Sequence, residues 1–274
     1  MTFDNVWFLS DYGLEDEFVG VVKAVIRAIA PHATVGDVTH SIPAHDIRAG
    51  ALALARSMQY LTLVPSVVLA VIDPGVGSSR RAVAVEAGGE NGDHPGAILV
   101  GPDNGLLAPA VAMAGGARRA VSLTNEEYHL PAPGPTFAGR DVFAPAAAHL
   151  CAGVDLAELG ELVDPITLLP GIMPLSRQED GAVTGEVLWV DRFGNIQLNV
   201  DPDDLLLMDD PLVLVSGDKT RKAIRVRSYS DLRSGQIGLV TDSYGLVSIA
   251  LDRRSASEEL RIAAGDSVTI KAAE

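Results

Sequence analysis

The sequence has a single cysteine, Cys151, so no disulfide can form within the chain. Cys151 lies in the apolar run AAAHLCAG and reads as a buried structural thiol rather than a nucleophile. No cluster of cysteine and histidine has zinc-ligand spacing. The histidines (His32, His40, His45, His94, His129 and His149) are scattered and read as surface or satisfied core residues. No apolar run approaches the roughly 18–20 residues of a membrane span. The opening stretch MTFDNVWFLSD carries neither a basic region nor a signal-like core, so a soluble, cytoplasmic protein is expected. Cations are scarce: 21 Lys and Arg stand against 36 Asp and Glu, a net charge of −15. That balance argues against nucleic acid as a partner, because phosphates need a basic surface. A P-loop, a G-x-G-x-x-G after a strand and a G-x-S-x-G are all missing, which disfavours a dinucleotide enzyme or an α/β-hydrolase.

What is present is an ordinary globular composition, 47% hydrophobic with 27 Gly and 16 Pro among 274 residues. Strand and helix signals alternate through the first 165 residues. Strands are expected at 6–10, 34–39, 66–73, 82–87 and 97–101. Helices are expected at 15–30, 46–60, 105–115 and 141–153. In the first helix Phe18, Val21, Val22, Val25, Ile26 and Ile29 share one face at the helical period. Such alternation implies a mostly parallel sheet with helices on its faces. The stretch DPITLLPGIMPLSRQEDG then has three prolines and no periodicity, and reads as a linker. Beyond it come only strand-like segments: 183–190, 195–200, 211–217, 223–229, 236–241, 245–251 and 266–272. These suggest a small antiparallel barrel or sandwich. The expected organisation is an α/β domain over 1–165, a linker over 166–182 and a smaller β-domain over 183–274.

Several motifs sit where strands end. VIDPGVGSSRR (71–81) follows a buried run with Asp73, a glycine turn, Arg80 and Arg81. Asp-Pro-Gly is by itself a good turn, yet open α/β sheets bind ligands at the carboxyl ends of their strands. SDYGLED places Asp11 at the end of the first strand and Asp16 at the start of the first helix. Asp16 is taken as a substrate-binding acid, although a carboxylate there can be a helix-terminal acid and no more, and an acid placed like Asp11 can hold both ribose hydroxyls. In GPDNGLL, Asp103 or Asn104 reads as a cap. In TFAGRDVF, Gly139 allows close approach of a ligand. Arg140 and Asp141, being adjacent, should not face each other on a helix, so Asp141 also reads as a cap. DRFGN (191–195) is a hairpin turn or a heterocycle site, with Phe193 for stacking and Asn195 for hydrogen bonds. TDSYG, with Ser243 and Tyr244, is open in the same way.

Taken together and in order, SDYGLED, DVTHSIP, VIDPGVGSSRR, GPDNGLL, TFAGRDVFAPAAAHL, DRFGN and DSYG resemble one family. They look like the S-adenosyl-L-methionine (SAM) hydroxide adenosyltransferases, or SAM hydrolases, relatives of the fluorinase and chlorinase. The resemblance covers nearly the whole chain. It implies an N-terminal α/β domain, a C-terminal β-barrel, and a homotrimer with active sites between one subunit's N-terminal domain and a neighbour's C-terminal domain. It implies conversion of SAM and water to adenosine and L-methionine, with no metal and no cofactor beyond SAM as substrate.

Hydrolytic members carry an Asp-Arg-His trio, whose first two positions match Asp73 and Arg80. Halide-using relatives lack this Asp. By the same resemblance Asp11 is the ribose acid, Asn195 the adenine-side amide, and Asp191 the contact to the methionine amine. Ser243 belongs to the later ligand loop, and Tyr244, Ser248 and Leu251 are taken with it as substrate-binding residues. Family members often have Glu where this chain has Ser248. The third member of the trio is absent: hydrolytic relatives read TFHGRD where this chain has Ala138. Two origins fit, a replaced histidine in a hydrolase or natural divergence toward weak activity or simple binding. Slow turnover is expected either way, with halide transfer and a non-catalytic SAM or adenosine module as the alternatives.

Overall fold

The computed structural model describes residues 3–88, 96–172 and 174–273, so His94 lies outside the described residues. It divides into two compact units, residues 1–172 and 173–274. No helix among the described residues is long and apolar enough to cross a membrane.

The first unit is built on a seven-stranded sheet. Its strands are β1 (Asn5–Ser10), β2 (Thr34–Thr39), β3 (Ser66–Val71), β4 (Ala82–Ala87), β5 (Ala97–Pro102), β6 (Ala117–Ser122) and β7 (Glu161–Val163). Their spatial order is β2-β1-β3-β5-β4-β6-β7. The sheet is mixed rather than mostly parallel. β2, β1, β3 and β5 run parallel, and β5, β4, β6 and β7 pair antiparallel. β3 reads SVVLAV and is buried at every residue, as a central strand covered on both faces must be. Four helices flank the sheet: α1 (Phe18–Ile29), α2 (Ile47–Leu61), α3 (Ala108–Met113) and α4 (Ala144–Cys151). α1 packs with α4, and α2 with α3. Phe8, Val22, Ile26, Leu69, Val100 and Phe143 lie together in one core.

Several boundaries move for identifiable reasons. α1 starts at Phe18, three residues later than its periodicity suggests, because residues 14–17 form an exposed bend. α2 begins where expected, with the Asp46 side chain accepting the Ala49 N–H at 2.9 Å. α4 is preceded by one widened π turn, Gly139–Phe143. Pro145 has no N–H to give to the Asp141 carbonyl, and that carbonyl accepts the Leu130 N–H at 2.9 Å instead. The stretch read as a linker is structured at both ends. Asp164 accepts the Ile166 N–H at 3.1 Å, and residues 177–179 form a strand.

The second unit contains β8 (Arg177–Glu179), β9 (Ala182–Val190), β10 (Ile196–Leu198), β11 (Leu212–Ser216), β12 (Lys219–Val226), β13 (Ile237–Thr241), β14 (Val247–Leu251) and β15 (Ser267–Ala272). The order β10-β14-β13-β12-β11-β15-β9 closes through an added β9–β10 pairing, and β8 adds to β9 outside the ring. This is a seven-strand barrel. It is not wholly antiparallel, since β12 and β13 run parallel. It also holds a short helix, α5 (Ala256–Leu260), where only strands are expected. Ser255 caps that helix, its hydroxyl accepting the Glu258 N–H at 3.1 Å.

Candidate active site

The chain leaves β1 for β2 on one side and leaves β3 for β4, beyond β5, on the other, so strand order reverses between β1 and β3. Ser10 is in register with Val71. Asp11 and Asp73 therefore leave neighbouring parallel strands at the same end, at the place where doubly wound sheets hold ligands. Both line a cleft of about 590 Å³, with Tyr12, Phe18, Phe137 and Ala138.

The DPGVGSSRR turn brings its acid and first arginine together. The Val76 N–H donates to the Asp73 carbonyl at 3.1 Å, and the Ser78 N–H to that of Gly75 at 3.1 Å. Gly77 has φ +77°, which a side chain rarely tolerates. Arg80 Nε donates to Asp73 Oδ1 at 2.8 Å and Nη2 donates to Oδ2, a two-point pair. The Asp73 side chain is 6% exposed and that of Arg80 15%. The Arg80 guanidinium also lies over the Phe143 ring, 5.1 Å from its centroid.

Arg81 faces elsewhere. Its Nε donates to Asp103 Oδ2 at 2.8 Å, and Nη1 to the Thr167 hydroxyl at 3.1 Å. Asp103 is also the acceptor for the Leu169 N–H at 2.8 Å, so it is a buried brace rather than a cap. Asn104 Nδ2 donates to the Ile72 carbonyl at 2.9 Å, fixing the residue before Asp73.

Asp11 Oδ2 accepts the His45 N–H at 2.8 Å. His45 is held in the left-handed region at φ +67°. Asp16 is exposed in the bend before α1, and the cleft is lined there by Glu17 and Phe18. Gly139 is buried under the Tyr12 phenol: a Cβ there would come within 2.1 Å of Tyr12 Oη. Arg140 and Asp141 do face each other, with Nε–Oδ1 at 2.5 Å and Nη2–Oδ2 at 2.9 Å. The π turn bends this pair out of ordinary helical spacing. A second cleft of about 780 Å³ lies beside Arg80, Ala138, His129 and Asp141. Burial lowers the His129 pKa.

Tyr12, Phe18 and Phe137 went unnoticed as site residues. Phe18 and Val21 fall on the apolar face of α1, yet both line the cleft. The Tyr12 phenol pKa is raised well above its usual value, first by burial and then by the Asp11 and Asp73 carboxylates, against Arg80. Cys151 is buried, and its thiol is pushed up to about 12, mainly by that burial. Among the described residues no group of acids, histidines and cysteines is arranged to hold a metal ion.

In the barrel unit, Asp191 organises its own loop. Oδ1 accepts the N–H groups of Phe193 and Asn195, each at 2.8 Å, and Oδ2 accepts from Asn195 Nδ2 at 2.8 Å. Phe193 is left 77% exposed. Asp242 does the same for the next loop, accepting the Tyr244 N–H at 2.8 Å and that of Leu246 at 3.1 Å. Ser243 and Tyr244 are exposed on that loop. Ser248 is buried opposite Gln197, and Leu251 lies in the barrel core.

Two units of this kind, with an acid–guanidinium pair at the switch point of the first, define a family, and the comparisons agree. The model of the SAM hydroxide adenosyltransferase N-terminal domain matches residues 6–160, and that of the C-terminal domain matches residues 185–269. The chain belongs to the SAM hydroxide adenosyltransferase family. It is 42% identical over 265 residues to the (R)-S-adenosyl-L-methionine hydrolase of Salinispora tropica, covering 97% of each chain. It is 41% identical over 267 residues to the enzyme of that name from Thermus thermophilus, covering 95% of this chain and 96% of the relative. A fluorinase of Actinoplanes is 27% identical over 295 residues, 96% of each. A crystal structure of an uncharacterized conserved protein from Thermotoga maritima superposes with a TM-score of 0.85 at 34% identity, over 97% of this chain and 99% of that one.

Proposed function

We propose that this protein is a hydrolase that converts SAM to adenosine and L-methionine by in-line attack of water at C5′. The observation that carries the reading is the buried two-point Asp73–Arg80 pair, facing a cleft that also holds Asp11. The sulfonium already offers a good leaving group, neutral methionine sulfur. The site need only hold water in line with the C5′–S bond and exclude competing solvent. Asp73 accepts a hydrogen bond from that water, sharpening it as a nucleophile and taking its proton. Arg80 fixes the plane of the carboxylate and stabilises hydroxide-like charge as it develops. Asp11 holds the ribose hydroxyls through its second oxygen. Asn195 reads the adenine, Phe193 stacks on it, and Asp191 meets the methionine amine. The reaction so written uses no metal or cofactor.

Cytoplasmic location and a homotrimer with shared active sites belong to the same proposal. Exposed apolar side chains support assembly: Ile166, Ile172, Leu175 and Leu207 are each at least 84% exposed in the single chain. The relatives' names specify the (R) sulfonium epimer, so the test uses both epimers. SAM is incubated with the protein, with and without chloride. Adenosine and methionine are the expected products. Chlorodeoxyadenosine would turn the reading to halide transfer, and binding without product to a SAM-binding module.

A further inference from the structure

We infer that the Tyr12 phenol is a catalytic residue, holding the attacking water beside Asp73 and supplying the contact that Ala138 lacks. This rests on the hydrolysis reading above. Tyr12 directly follows Asp11, and its backbone is tied down from below. Its N–H donates to Ser10 Oγ at 3.3 Å. Ser10 Oγ pairs with His40 Nδ1 at 2.7 Å, and His40 Nε2 with Asp37 Oδ1 at 3.1 Å. The ring is packed edge-on against Phe8 at 6.3 Å and Phe137 at 5.8 Å between centroids, and is tilted against Phe18 at 5.7 Å. Held in this way, the phenol oxygen lies over Gly139, where a Cβ would approach to 2.1 Å. It therefore sits next to residue 138, in the cleft that Asp73 and Ala138 also line. An imidazole on residue 138 would reach into the same space.

Burial first, and then the carboxylates of Asp11 and Asp73 against Arg80, raise the pKa of this phenol, so it stays protonated. A neutral phenol can accept one hydrogen bond from water while donating its own proton to a carboxylate. With one water O–H on Asp73 and the other on Tyr12, the free lone pair is directed at C5′. The O–C5′ bond forms as the C5′–S bond breaks. Its electron pair stays on sulfur, giving neutral methionine, and the water proton passes to Asp73 and then to solvent. Tyr12 changes no protonation state; it orients the nucleophile.

The test is a double-mutant cycle of the parent protein, Tyr12→Phe, Ala138→His and the double variant. Single-turnover SAM hydrolysis and adenosine affinity are measured, with thermal melting as a control for folding. Tyr12→Phe should slow turnover by about tenfold to a hundredfold and leave adenosine affinity and melting nearly unchanged. Ala138→His should raise turnover, and on that background Tyr12→Phe should cost little. Turnover of Tyr12→Phe equal to the parent's would overturn the inference. Equal losses on both backgrounds would also overturn it, since the phenol would then not stand in for the imidazole. If neither the parent nor Ala138→His releases adenosine from bound SAM, the hydrolysis reading itself fails and the role of Tyr12 goes with it.

Discussion

Arg80 and Arg81 are neighbours in sequence and opposites in use. Arg80 grips Asp73 at the cleft, while Arg81 grips Asp103 and Thr167. A lysine keeps the charge and loses the fork geometry. Arg80→Lys should therefore cut turnover about a hundredfold, the scale of a misplaced catalytic group, with little change in melting. Arg81→Lys should cost about 1–2 kcal/mol of stability through the weakened hydrogen bonds to Asp103 and Thr167, with a smaller effect on turnover. Kinetics and chemical denaturation of the two variants check this together, and the reverse pattern would exchange their roles. Asp11 is argued to bind rather than react. Asp11→Asn keeps an oxygen for the His45 N–H but loses the charge, and should cost about 2–4 kcal/mol in adenosine affinity. Titration calorimetry showing unchanged affinity would remove Asp11 from the ribose.

At the scale of elements, β3 and β5 must approach closely for Asp73 to be placed. Gly101 on β5 makes this possible, because a Cβ there would lie 2.2 Å from the Ala70 carbonyl oxygen of β3. Backbone cannot step aside as a side-chain tip can. Gly101→Ala should destabilise the first unit by about 1–3 kcal/mol through overpacking and lower activity with it. Thermal melting and turnover are the measurements, and an unchanged midpoint would sink the prediction.

The same scale shows what was legible in the sequence. SVVLAV announces a buried strand because five of its six residues are apolar, and Asp46 announces the start of α2. β6 went unseen because ARRAVS carries two exposed arginines after its first residue, and β7 because three residues carry no period. That half of the sheet is the antiparallel half, so missing it made the sheet look mostly parallel. Among site residues, strand-end acids stand out by charge against an apolar run. Phe18 does not, since an aromatic on a helix counts toward its core-facing stripe until the cleft is seen, and Tyr12 does not, since a lone aromatic in a loop carries no period. The contact between Arg140 and Asp141 was hidden for another reason, the π turn that Pro145 accompanies.

For the whole molecule, the claim most open to test is that each active site draws on two chains. Asp73→Asn disables the first unit and Asn195→Ala weakens the second. Each variant alone should be slow. Unfolded together and reassembled at random, they should recover up to about a quarter of full activity if sites are shared between subunits. No recovery would place both halves of the site in one chain. Sedimentation of the parent protein gives the subunit number independently.

The barrel carries a consequence for synthesis. β9 is its first ring strand, yet one of its neighbours is β15, Ser267–Ala272, with Ser267 opposite Glu186 and Lys271 opposite Ala182. A ribosome delivers these partners more than eighty residues apart, so the ring stays open until its last strand has been made. The sheet of the first unit is complete once β7, ending at Val163, has emerged. The nascent chain should thus hold one finished unit while the other waits, its unpaired β9 edge an available template for another such strand. Losing the few residues of β15 would leave every polysome product in that waiting state.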